Sequence, residues 1–128
     1  METSPRSLGT SPAAVDSGVL ERLREQVGDA EGTMLNELVT EYLSEGATHL
    51  TRLLAAVAAG DTGTVRSIGH TWSSTSDLLG ATVLATMLRG LKQLVASPVE
   101  LGAAAAAIEV EYGRVTEWLT GSGYQVSA

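Results

Sequence analysis

The sequence predicts an all-α fold: an up-down-up-down antiparallel four-helix bundle with a short extra N-terminal helix. Three observations carry that prediction. Ala and Leu are abundant and Phe is absent, which favours helices over sheets. Apolar residues recur at three- and four-residue spacing through most of the chain. Between these stretches lie short stop signals, Gly28, Gly60, Gly80 and Ser97-Pro98, that leave connections of a few residues.

The 128 residues suffice for one domain with one core. Met1 to Val15 is rich in Ser, Thr, Pro and Gly without periodicity and reads as a disordered arm, residues 1–15. The bundle is expected over 16–120, with a flexible tail at 121–128. Asp16 is placed to cap a first short helix, Ser17 to Val27, whose apolar face is Val19, Leu20, Leu23 and Val27 and which covers one end of the bundle. Asp29 is the expected cap of the second helix. Leu35, Leu38, Val39, Tyr42, Leu43, Leu50, Leu53, Leu54 and Val57 keep one register for about six turns. Gly46 weakens the middle by up to about 1 kcal/mol relative to Ala, but the register is unchanged across it, so one long helix is expected. His49 falls at the edge of its apolar face and reads as a partly buried structural residue.

Gly60-Asp61 ends that helix and caps a third, running to about Leu79 and closed by Gly80. At about 100° per residue, Val65, Ile68, Trp72, Thr75 and Leu79 form its apolar stripe. His70 lies roughly opposite, on a polar face with Arg66, Ser73, Ser74 and Asp77. A fourth helix is expected from Ala81 to Ala96, with Leu84, Met87, Leu88, Leu91, Leu94 and Val95 apolar. Pro98 suits the first turn of a last helix, in which Leu101, Ala104, Ala105, Ile108, Tyr112, Val115 and Leu119 have heptad-like spacing and Gly121 is the stop. Trp72 and Trp118 read as packing residues.

Composition excludes several functions. Cys is absent, so there are no disulfides or thiolate metal sites. The formal net charge of -7 argues against nucleic-acid binding. No apolar run approaches the roughly 20 residues of a membrane span, and residues 1–10 lack a signal-peptide core. The expected location is the cytoplasm. His49 and His70 have no metal-ligand spacing, and no metal site is expected. There is no phosphate-binding Gly-rich loop and no room for an ATP-binding kinase domain, hence no autokinase motif.

An imidazole on the outside of a helix, flanked by small hydroxyl residues, is available to a partner, although a lone surface His is ordinarily just solvated. The stretch around it is more specific. His70-Thr71-Trp72-Ser73-Ser74-Thr75-Ser76-Asp77-Leu78-Leu79-Gly80-Ala81 resembles the phosphorylation-site helix of histidine-containing phosphotransfer (HPt) domains, whose usual pattern is Ala-His-(Thr/Ser)-Leu-Lys-Gly-Ser-Ser-Ala-x-Leu-Gly-Ala. His70, Thr71, Ser76, Leu79, Gly80 and Ala81 match in register. Tyr42-Leu43 and the run from Leu53 to Asp61 resemble the helix and turn that precede the active His. Departures are Ser73 for the usual Lys, Ser74 for Gly, and Asp77 for a small apolar residue.

The resemblance implies a four-helix bundle and a phosphoryl carrier, not a turnover enzyme. His70 would be the phosphoacceptor between response-regulator receiver aspartates. The implied partners are receiver domains or a hybrid sensor kinase. No cofactor is expected on this chain, and Mg²⁺ is expected on the receiver. Arg66, one turn before His70, could replace the missing Lys. Ser73 and Ser74 would contact the phosphoryl group or the receiver, and Lys92 and Gln93 are candidates from the next helix. A monomer is expected, since the apolar stripes are used within the bundle. The alternative is a degenerate HPt-like bundle that binds a signalling partner without accepting phosphate, which the loss of Lys and Gly at 73 and 74 favours.

Overall fold

The computed structural model describes residues 13–26, 28 and 33–121. Among them there is no strand. Five α-helices follow one another: α1 (Ser17–Gln26), α2 (Thr33–Ala59), α3 (Thr62–Leu78), α4 (Thr82–Gly90) and α5 (Pro98–Gly121), with a 3₁₀ turn at Leu91–Gln93 after α4. The expected arm up to residue 12, the Asp29 cap and the tail beyond 121 lie outside the described residues. No helix is long and apolar enough to cross a membrane among the described residues.

The last four helices pack as a closed ring: α2 on α3, α3 on α4, α4 on α5 and α5 back on α2. Leu35, Val39, Leu53, Val65, Trp72, Leu84, Leu88, Ile108, Val115 and Leu119 meet inside it with at most 2% exposure. Each such side chain contributes roughly 1.5–3 kcal/mol on burial. The buried apolar positions of α5, namely 101, 105, 108, 115 and 119, follow the expected heptad-like spacing, and Glu111 is buried beside them.

Both turns that flank α3 follow from glycine. After α2, Gly60 adopts φ +71°, the Asp61 N–H bonds the Ala56 carbonyl at 2.9 Å and the Gly60 N–H bonds Val57 at 3.2 Å. After α3, Gly80 adopts φ +88°, with Ala81 N–H to Ser76 at 2.8 Å and Gly80 N–H to Asp77 at 3.1 Å. These are two Schellman closures, which satisfy the last carbonyls of a helix and need a residue without Cβ at the left-handed position. Asp61 then caps α3: its carboxylate accepts from the Thr64 N–H at 3.2 Å and the Thr64 hydroxyl at 2.6 Å. The Thr64 hydroxyl first, and its N–H second, hold the Asp61 carboxyl below its usual range.

Gly80 has a second constraint. A Cβ on it would meet the Asp16 carbonyl oxygen at 2.8 Å. The Asp16 N–H bonds the Gly80 carbonyl at 2.8 Å, and the Asp16 side chain caps α1 through the Gly18 N–H at 2.9 Å. The first helix is thereby docked on the turn at the end of α3, as expected for a cover on one end of the bundle. Ala14 and Val15, which composition places in the arm, are buried.

The fourth helix departs from its expected length. It ends at Gly90, not Ala96, and the chain tightens into the 3₁₀ turn. Leu94 N–H bonds the Leu91 carbonyl and Ser97 N–H bonds the Leu94 carbonyl, both at 2.9 Å. Gly90 disfavours helix, and Pro98 restrains Ser97 from helical geometry while opening α5. The tighter winding buries Leu91 completely and leaves Lys92 and Gln93 exposed.

Candidate functional site

His70 stands exposed on the outer face of α3. Its ring makes no hydrogen bond to any described residue, whereas its backbone carbonyl accepts from two hydroxyls, Ser73 Oγ at 3.0 Å and Ser74 Oγ at 3.1 Å. Behind it, Trp72 is fully buried and sets the position of α3. The indole meets the ring of Tyr112 edge-on, centroids 5.5 Å apart, and that of His49 at the same distance with a 34° tilt. Further along the same face, the Tyr42 hydroxyl and Ser76 Oγ share a buried hydrogen bond of 2.7 Å. Burial pushes the Tyr42 hydroxyl up to about 12, the Ser76 bond opposing it.

The third and fourth helices approach closely at Gly69. A Cβ there would lie 2.9 Å from the Leu88 carbonyl oxygen. The resulting seam opens into a groove of about 580 Å³, with His70 in its lining. Arg66, Ser73, Ser74, Lys92 and Gln93 line it too, so all six residues singled out in the sequence come together. Among the described residues no group of His, Asp and Glu is arranged to hold a metal ion.

No family model and no curated protein matches the sequence. Among solved structures, the chain is similar to the histidine-containing phosphotransfer protein B (HptB) of Pseudomonas aeruginosa PAO1, with a TM-score of 0.74 and 24% sequence identity, over 90% of this chain and 100% of that one. The fold is HPt-like. The resemblance read in the phosphorylation-site stretch therefore extends to the backbone of the whole bundle.

Within this HPt-like frame one expected residue is differently placed. Ser73 was expected on the solvent face beside His70, but it is only 3% exposed, and its hydroxyl is turned back onto the His70 carbonyl. The reason is that α3 packs on both α2 and α4. Its buried face is therefore wider than a single stripe and takes in Gly69, Ser73 and Ser76. Ser74 is exposed, as expected. Lys92 and Gln93 flank the groove without bonding the His70 ring.

Sequence reasoning missed Arg89. It lines the groove from α4, and its Nη1 donates to Asp77 Oδ2 at 2.6 Å. Asp77 is thus a paired carboxylate, not an isolated charge. The available signal was an Asp and an Arg on either side of the Gly80 turn, which a helical hairpin brings to one face.

Proposed function

We propose that this protein is a histidine phosphotransfer module that relays a phosphoryl group between receiver aspartates through His70. The observation that carries the reading is an exposed imidazole with an unencumbered ring, set in a groove with three cations, on an HPt-like fold. A neutral imidazole with Nε2 unprotonated is the nucleophile. Its lone pair forms the N–P bond while the P–O bond of the receiver's acyl phosphate breaks, and that electron pair returns to the receiver's carboxylate. The Nδ1 proton stays on the ring until water removes it. Such a step needs positioning and charge stabilisation more than it needs protein groups that make bonds. The receiver supplies Mg²⁺ and its acidic cluster, and this chain holds no cofactor of its own. The ring of helix contacts and the tight turns at Gly60 and Gly80 support an up-down-up-down antiparallel arrangement. We place the protein in the cytoplasm as a monomer, with receiver domains or a hybrid sensor kinase as partners.

The second reading, a degenerate HPt-like bundle that binds a partner without accepting phosphate, is favoured by Ser73, which is uncharged and buried at the position where the resemblance implies a Lys. One experiment separates the two. Receiver domains loaded with labelled acetyl phosphate are mixed with the protein and with its His70→Gln variant. Acid-labile, alkali-stable label on the wild type alone is the expected result. Receiver binding without label would establish the degenerate binder instead.

A further inference from the structure

The groove beside His70 is a positive patch on a negative molecule. Three of the chain's eight Lys and Arg residues line it, Arg66, Arg89 and Lys92, against a single one of its fifteen carboxylates, Asp77. That carboxylate holds Arg89. The two side chains are 47% and 49% exposed, so the pair is wet and easily exchanged.

The root and the head of Arg89 lie at different levels of the groove. The Leu88 carbonyl presses on Gly69, so the Leu88–Arg89 peptide runs beside the residue immediately before His70. Asp77 is seven residues beyond His70 on α3, a rise of about 10 Å. Arg89 therefore leaves its backbone near the level of His70 and extends along the groove towards the end of α3, where Asp77 receives its guanidinium.

We propose that Arg89 is the cation that meets a phosphoryl group on His70, and that Asp77 is the resting partner it leaves to do so. The inference rests on the phosphotransfer reading above. A phosphoryl group offers up to two negative charges and three acceptor oxygens, where Asp77 offers one charge and two oxygens. A guanidinium fork matches phosphate oxygens bidentately and gains more from them than from an exposed carboxylate. Ser73 cannot take this role, being uncharged, buried and bonded to the His70 carbonyl. Arg66 and Lys92 share the groove, but no carboxylate among the described residues holds either of them in it. They would lose more rotamer freedom on engagement. Arg89 makes and breaks no covalent bond: it exchanges one anion for another and keeps its proton.

The test uses phosphoramidate as a small phosphoryl donor, so that no receiver is needed. Formation of acid-labile label is timed on the wild type and on Arg89→Gln, Arg89→Lys, Asp77→Asn and Arg66→Gln. Arg89→Gln is expected to slow formation about tenfold, the effect of one lost charge-assisted hydrogen bond. Arg89→Lys should recover part of the rate. Asp77→Asn should raise the rate about threefold, because it removes a competitor worth an exposed ion pair. Opposite signs for Arg89→Gln and Asp77→Asn are what a purely structural clamp between helices cannot give. An Arg89→Gln rate equal to wild type, an Asp77→Asn rate at or below wild type, or a larger loss in Arg66→Gln overturns the assignment. A wild type that takes no label overturns the phosphotransfer reading and this inference with it. Helical circular dichroism is recorded on every variant. If Arg89→Gln does not fold, Arg89→Lys against Asp77→Asn decides by the same signs.

Discussion

Tyr112 of α5 closes over Gly46 of α2: a Cβ at Gly46 would lie 2.6 Å from the ring Cε1 and 2.9 Å from the hydroxyl. The ring has little freedom to retreat. Its hydroxyl donates to the Leu43 carbonyl at 2.6 Å, and its edge rests on Trp72. Gly46→Ala should therefore destabilise the fold by about 1–2 kcal/mol, overpacking outweighing the roughly 1 kcal/mol gained in helix propensity. A lower urea midpoint with an unchanged slope is the expected result. A higher midpoint would mean that the Tyr112 ring gives way.

Gly69→Ala is expected to be worse, by about 2–3 kcal/mol, because the obstacle is the Leu88 backbone carbonyl at 2.9 Å, not the end of a side chain. Backbone can yield only by moving α4 away from α3, which also reshapes the His70 groove. The variant should combine a lower urea midpoint with altered amide shifts at Leu88 to Lys92. A neutral midpoint would show that the seam is compliant.

The buried bond between Tyr42 and Ser76 gives two measurements. Tyr42→Phe should lose about 1–2 kcal/mol, since it strands the Ser76 hydroxyl in the core. The folded-state value of about 12 lies above the ordinary 10. Above the ordinary value the unfolded chain ionises first, so the Tyr42 contribution is complete below pH 10 and is lost as pH rises from 10 towards 12. Ultraviolet titration should show this tyrosine ionising last, and the alkaline loss of stability should be smaller in Tyr42→Phe.

His49 acts at the other end of the pH scale. Burial is the main cause that lowers its affinity for a proton, with Glu45 opposing, and its Nδ1 is buried without a hydrogen-bond partner. With the folded value below 6.5, stability is full above that pH and falls as pH drops through the folded value. Nuclear magnetic resonance titration of the two histidines should place His49 below 6.5. A His49→Phe variant should show a shallower acid limb in its stability profile. A value at or above 6.5 for His49 would contradict the burial argument.

Much of this architecture was legible in the chain because it is set locally. Asp61, Gly60 and Gly80 bound α3 through their own turn chemistry, and unbroken register carried α2 through Gly46. The six residues gathered in the groove follow from helical phase plus the position of the next helix. What the sequence did not reveal depends on neighbours. Ser73 is buried because two helices cover α3, while periodicity alone describes one covered face. The end of α4 at Gly90 combines a weak local signal with the demand of Pro98 eight residues on. The pairing of Asp77 with Arg89 depends on the interhelical register at Gly69, which no spacing within one helix encodes. Gly46 reads as a weak point in its helix, yet it, like Gly69, marks a place where another element comes close.

The concentration of cations in one groove has a consequence for how partners arrive. An acidic protein surface approaching this chain from most directions meets like charge and turns away. An approach over α3 and α4 meets the three cations of the groove and is attracted within a Debye length of about 8 Å at physiological salt. Orientation is then selected before contact, by repulsion from the rest of the surface as much as by attraction to the groove. Lowering the ionic strength should sharpen that choice, narrowing the set of productive encounters while quickening those that remain.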